Sequence, residues 1–298
     1  VDIDLYLEEK RRIVETGLQA VMLEAGGPFS RHVEAMRYSL FAGGKRIRPI
    51  LCLAAGEAID NRAEVAENLL PIACALEFIH TYSLIHDDLP AMDNDALRRG
   101  KPTNHILYGE AGAILAGDGL LTLAFQLLSN TGDNNLAVEQ RLRIIEIIAT
   151  GAGPLGMVGG QALDIESEKT EITFAQLQTI HRAKTGALIT CSLLAGALAA
   201  GATSGELADL THYGEKIGLA FQIVDDILNV TSTTKELGKA AGSDANRGKA
   251  TYPALFGLAE TRRKAEEAAT EAIAALATFD DKADPLRHLA AYLTTRSK

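Results

Sequence analysis

The chain has 298 residues, 47% of them apolar but only 5% aromatic, with no Trp and a formal net charge of −10. That length fills one large core or two modest ones, and Ala, Leu and Ile rather than rings must fill it, a helix-forming composition. The acidic balance excludes nucleic acid as the main partner, because phosphate backbones need a basic face. It also repels an anionic substrate unless metals or local Lys and Arg reverse the field.

Apolar residues recurring three and four apart predict helices over residues 8–24, 29–42, 49–58, 63–88, 111–130, 136–152 and 174–200. A further helix runs through Leu207, Leu210, Tyr213, Ile217, Phe221, Val224 and Leu228, followed by helices over 252–276 and 285–296. Polar loops are expected at 131–135, 166–170 and 231–247, and most prolines fall where a helical pattern would end. No strand-like alternation or low-complexity linker divides the chain. The expectation is one all-α domain over 1–298, with roughly ten or more helices. Residues 185–205 carry no charge and are long enough to span a bilayer. They are rich in Ala, Gly, Ser and Thr, so a helix buried on all sides is expected there, without stable membrane insertion. Cys52, Cys74 and Cys191 form no ligand or disulfide pattern and read as core thiols of a cytoplasmic protein. No signal peptide is recognised at the start, which is Val1.

Two paired aspartates break the apolar pattern. A helix entering Asp87-Asp88 should stop before Pro90, which leaves two carboxylates at a negative helix end with Asp93 and Asp95 just beyond. Stability does not favour that arrangement, whereas a divalent cation shared with phosphate oxygens does. Asp280-Asp281 with Asp284 repeats the spacing among charged residues. There it reads as a surface turn, with Asp284 capping the last helix. Gly43-Gly44-Lys45-Arg46-Ile47-Arg48-Pro49 and Arg98-Arg99-Gly100-Lys101 flank the first pair with phosphate-holding cations and permissive glycines. In the second pair, Asp225 and Asn229 share a helix face with Gln222 one turn earlier, and Asp226 is adjacent. An apolar helix carries such a face only if ligands satisfy it. Lys184-Thr185 adds a cation and a hydroxyl. Lys239 and Lys249 lie in a Gly-rich segment that could close as a lid.

Taken in order, these segments resemble the trans-polyprenyl diphosphate synthases. The match runs from about Ser30 to Pro253 and includes Lys45 to Pro49, His80 to Asp93, Arg98 to Thr103, Gly159-Gly160-Gln161 with Asp164, Lys184-Thr185, Phe221 to Asp226, and Lys249 to Pro253. The resemblance implies an isoprenoid-synthase fold around a central cavity and a homodimer. It also implies three Mg²⁺ held by Asp87, Asp93 and Asp225, with Asp88 and Asp226 counted among the metal-binding carboxylates. Arg98, Lys184 and Lys239 would stabilise the leaving diphosphate of the allylic substrate. Thr185 and Gln222 would face the allylic cation. Isopentenyl diphosphate would be held without metal by Lys45, Arg48, His80 and Arg99, and Lys249 would join the substrate-binding set.

Two departures stand out: Asn229 where the family more often has Asp, and Ala96 in place of a common acidic residue. Tyr82 lies five residues before Asp87, about 7–8 Å down the helix, and in the family a large residue there accompanies a fifteen-carbon farnesyl product. Ser83 beside it leaves room on its own face. The alternatives are a geranylgeranyl synthase, a class I terpene cyclase, and a non-catalytic partner subunit. A cyclase binds one diphosphate and has no use for Lys45, Arg48 and Arg99. A non-catalytic subunit would tolerate loss of Asp87, Asp88 or Asp225, which are all present.

Overall fold

The computed structural model describes residues 2–132, 136–168, 170–231 and 251–295. Helix α1 (Ile3–Val21) starts five residues before the apolar repeat, because the Asp2 carboxylate accepts the Asp4 and Leu5 N–H groups. A 3₁₀ turn at Gly27–Phe29 leads into α2 (Ser30–Leu40). Helix α3 (Ile47–Ile59) begins two residues before Pro49, from a left-handed Arg46. Helix α4 (Ala63–Asp87) continues through Pro71, the proline that least obeys the expected punctuation, and 11 of its last 16 residues are buried.

Beyond α4, a two-residue hairpin pairs β1 (Leu97–Arg98) with β2 (Lys101–Pro102), a short sheet that alternation could not signal. Helix α5 (Asn104–Ser129) is broken at Gly109 (φ 77°), which only glycine adopts freely. Then follow α6 (Val138–Ala152) and α7 (Met157–Glu166). The run expected as one helix over 174–200 divides into α8 (Phe174–His181), a π-helical turn (Arg182–Gly186) and α9 (Ala187–Ala199). Helix α10 (Ser204–Thr231) carries the second aspartate pair, and α11 (Tyr252–Ala275) follows. At the C-terminal end, Asp280 rather than Asp284 caps, accepting the Lys282 N–H at a 3₁₀ turn, and Asp284 is the first residue of α12 (Asp284–Thr295). Asp280 and Asp281 are exposed, as a surface turn requires.

The small residues of α9 have a packing reason. A Cβ on Gly196 would lie 2.0 Å from the Cys52 carbonyl oxygen, so α9 and α3 touch backbone to backbone. Ten of the 13 residues of α9 are buried, and its core role replaces a membrane span there. All three thiols are buried and free. By length and composition alone, α4, α5 and the α6–α7 run are apolar enough to cross a membrane. Helix α4 is mostly covered, whereas α5 and α6 leave Ile106, Leu107, Leu115 and Leu142 exposed. The expected lid, with Lys239 and Lys249, lies outside the described residues, and so does the loop expected over 231–247 apart from Thr231, which ends α10.

Candidate active site

The C-terminal turn of α4 ends as Pro90 dictates. The chain then folds back so that the Asp93 N–H donates to the Asp87 carbonyl at 2.8 Å, while Asn94 adopts a left-handed φ of 53°. Both acids are thereby held at one tip. Burial, opposed by Lys184 and reinforced by Asp93, pushes the Asp87 carboxyl up to about 6. Asp88 is 3% exposed and accepts the Arg98 fork through both oxygens, at 2.7–3.1 Å. The hairpin positions that guanidinium, and Tyr38 fixes the hairpin by donating to the Pro102 carbonyl at 2.7 Å.

On α10, Asp225 is half-buried, while Asp226 and Asn229 are each 5% exposed. One Asp226 oxygen accepts the Tyr252 backbone N–H at 2.9 Å, which fastens the start of α11 to the acidic face. Between the two acidic elements stands the π turn. Its Lys184 Nζ donates to Asp164 on α7 at 2.7 Å, and its Thr185 hydroxyl donates to Gln222 Oε1 on α10 at 2.8 Å. A Cβ on Gly160 would fall 2.1 Å from the Lys184 nitrogen, so α7 must carry glycine for the turn to seat there. The wide π turn lets consecutive residues reach opposite ways, Lys184 to α7 and Thr185 to α10. Next to it, Gln161 has both amide atoms buried with no hydrogen-bond partner among the described residues.

A second cationic group adjoins the first. Arg48 Nη1 lies 3.4 Å from His80 Nε2, and Gly44 packs against the Arg99 guanidinium so closely that a Cβ would sit 2.8 Å from it. Burial, then Arg48, Arg99, Arg98 and Arg46, push the His80 pKa well below its ordinary value. The ring is therefore neutral. With Nε2 facing a donor, its buried Nδ1 carries the proton and finds no acceptor among the described residues. Tyr82, 6% exposed, meets His86 edge-on with centroids 5.7 Å apart. His86 Nε2 sits 3.0 Å from the Ile114 carbonyl of α5. The Ser83 hydroxyl turns back to the His80 carbonyl.

Of the residues expected from sequence, the aspartates, Arg98, Arg99, Lys184, Thr185 and Gln222 lie on the α4 tip, the hairpin, the π turn and the middle of α10. His80, Tyr82 and Ser83 lie earlier on α4, and Lys45 and Arg48 lie just before and in the first turn of α3. The exceptions are Lys239 and Lys249, which lie outside the described residues. Sequence reasoning left Arg46, Glu77 and Glu15 unassigned, although a glutamate within the apolar run of α4 was a visible signal. A cavity of about 640 Å³ lies behind the π turn instead. Ile147, Thr150, His181, Leu194 and Leu219 line it, and no α4 residue does. The groove's lining carries Glu146, Arg182, Glu215 and Lys216 but neither aspartate pair nor any of Arg48, Arg98 and Arg99, so the candidate site is placed at the acids.

Among the described residues, no three His, Cys, Asp or Glu side chains form a ready-made metal cage. Hard divalent ions that share substrate phosphate oxygens need only one or two carboxylates from each side, and the half-buried Asp87 with Asp93 fits that chemistry.

Paired carboxylates at the end of α4 and within α10, a lysine turn between them and an arginine cluster alongside fit a mainly helical enzyme acting on diphosphates. Comparison with known sequences makes the class specific: the chain belongs to the polyprenyl synthetase family, whose model matches residues 30–289. It is 50% identical over 264 residues to a farnesyl diphosphate synthase of Geobacillus stearothermophilus, covering 89% of this chain and 88% of that one. It is 48% identical to a geranylgeranyl diphosphate synthase of Cyanophora paradoxa, over 98% of this chain and 96% of that one. The apo crystal structure of an FPP/GFPP synthase from Zymomonas mobilis superposes with a TM-score of 0.86 at 38% identity, over 99% of both chains. The fold is the isoprenoid-synthase fold, and the chain is a prenyltransferase of isoprenoid biosynthesis with trans-prenyl diphosphate synthase activity.

Proposed function

We propose that the chain, acting as one catalytic domain over 1–298, makes (2E,6E)-farnesyl diphosphate. It does so by successive head-to-tail (1′-4) condensation of isopentenyl diphosphate with dimethylallyl and then geranyl diphosphate. The observation that carries the product length is Tyr82, a buried ring about 7–8 Å below the acidic tip. Its edge contact with His86, itself placed at the α5 backbone, gives that ring a firm support against a growing chain.

Asp87, Asp93 and Asp225 would hold Mg²⁺, three ions per site. Asp88 and Asp226 would join the acidic edges through the turns that Arg98 and the Tyr252 N–H fix. When bound, Mg²⁺ would supply the charge that neutralises the leaving diphosphate. Arg98 and Lys184 donate to the same oxygens, and their partners Asp88 and Asp164 keep each cation aimed before substrate arrives. Thr185 and Gln222, locked to each other, present oxygen dipoles beside the allylic carbon. Lys45, Arg48, His80 and Arg99 hold the second diphosphate. The departing diphosphate takes the proton lost from the condensed chain, since no side-chain base stands in the set.

The exposed apolar face of α5 and α6 supports a homodimer, and the family's chemistry supports a cytoplasmic enzyme without stable membrane insertion. A second reading, geranylgeranyl synthesis, is favoured by the 48% identity to a relative of that name. Incubation with labelled isopentenyl diphosphate, Mg²⁺ and geranyl diphosphate separates them. C15 product is expected from the wild type and longer product from Tyr82→Ala. Predominantly C20 from the wild type favours the second reading, unchanged length in the variant removes Tyr82 as the floor, and no condensation defeats both readings.

A further inference from the structure

Arg46 stands between Lys45 and Arg48, yet its side chain points away from them into the protein. It is a non-glycine residue at φ 53°, a left-handed conformation that strains any residue with a Cβ, and it is 2% exposed. Three contacts hold it. Nε donates to Glu15 Oε1 of α1 at 2.8 Å, Nη1 to Glu77 Oε1 of α4 at 2.7 Å, and Nη2 to the Leu40 carbonyl ending α2 at 2.7 Å. Its own carbonyl accepts the Ile50 N–H and so opens α3. One side chain therefore ties three helices to the start of a fourth.

A buried ion pair is weak evidence for stability, because apolar residues of the same volume often serve as well. Retention of a strained, charged residue here calls for another role, and its neighbours indicate one. Gly43 and Gly44, at φ 92° and 143°, give the loop before it no intrinsic stiffness. Without the anchor, Lys45 would sit at the end of a loose tether, and α3, which carries Arg48, would lose its fixed start. Glu77 lies one turn before His80 on α4. It is also the largest acidic influence on both Arg48 and Arg99. The anchor and the proposed diphosphate pocket are thus built on the same pair of helices, α3 and α4.

We propose that Arg46, clamped by Glu77 and Glu15, is a positioning residue for isopentenyl diphosphate: it sets where Lys45 and Arg48 stand and touches no substrate. This rests on the reading of Lys45, Arg48, His80 and Arg99 as that substrate's pocket. The role predicts a split between the two substrates. Arg46→Gln should raise KM for isopentenyl diphosphate at least tenfold, with KM for geranyl diphosphate and kcat at saturation within threefold of wild type. Arg46→Lys, which keeps the charge but cannot make three fixed contacts, should fall between.

Glu15→Ala removes one contact from the partly exposed side and tests the same idea where Arg46→Gln fails to fold. It should raise KM for isopentenyl diphosphate two- to fivefold at unchanged melting temperature. Arg48→Ala is run in parallel. If it leaves KM for isopentenyl diphosphate unmoved, the pocket itself is misassigned. If Arg48→Ala raises that KM while the Arg46 and Glu15 variants change only melting temperature, or both KM values equally, Arg46 is merely structural and the proposal is overturned.

Discussion

The His181 ring stacks on Tyr252, centroids 5.7 Å apart and planes 19° from parallel, with a buried Nδ1 that has no partner among the described residues. Burial lowers its pKa to about 4, with Asp164 pulling it up and Lys184 pushing it down. The unfolded chain accepts a proton near pH 6.5 that the folded ring refuses until about 4. The stability this residue contributes is therefore complete above pH 6.5 and lost as pH falls toward 4. The loss is on the order of 3 kcal/mol, at about 1.4 kcal/mol per unit. Asp87 acts in the opposite sense, because its raised carboxyl favours the folded state as pH falls through 6. The wild-type curve mixes the two, so the comparison must be with His181→Phe, which keeps the stacked ring and drops the titration. Melting temperatures measured from pH 7 to pH 4.5 should show the variant gaining on wild type steadily as acid is added. A constant difference would mean that His181 does not titrate in the fold.

Among the elements, the π turn governs most of the site and was the feature least legible in the sequence. Residues 174–200 carry an unbroken helical pattern, and a single extra residue in one turn leaves no compositional mark. Helix α7 was missed for a related reason: Gly159 and Gly160 argue against helix on propensity, and only contact with the π turn repays them. The acidic ends were legible, because burying paired carboxylates has no stabilising explanation. Their partners were less so. Asp88 is served by a hairpin ten residues on and Asp226 by a backbone N–H 26 residues on, and neither reach is local. If backbone contact between α7 and the π turn aims Lys184, Gly160→Ala must displace it, since the new Cβ meets backbone rather than a yielding side chain. Overpacking of this kind costs about 1–3 kcal/mol. A tenfold or greater fall in kcat is expected beyond the loss of melting temperature, and an unchanged kcat would detach Lys184 from α7.

For the molecule as a whole, the unsolved surface is the apolar side of α5 and α6. Ile106, Leu107, Ile114 and Leu115 are 44–57% exposed on α5, with Val138 and Leu142 60% exposed on α6. Ile106 and Leu107 precede the break at Gly109 and Ile114 and Leu115 follow it, so the exposed stripe consists of two short apolar segments rather than one helical face. A net charge of −10 keeps copies apart at long range, so pairing must draw on apolar area that excludes water. Wild type is expected to sediment as a dimer at micromolar concentration, and Leu115→Glu with Leu142→Glu as a monomer, because a like copy would bury those charges against each other. The same face matters to chemistry. His86 rests on the α5 backbone at Ile114 and lies next to Asp87, so a freed α5 loosens the tip that carries the acids. The monomeric variant should consequently lose activity out of proportion to any change in its helical content. A wild type that is monomeric and pellets with phospholipid vesicles would instead make the stripe a lipid-facing surface, and the dimer reading would fall.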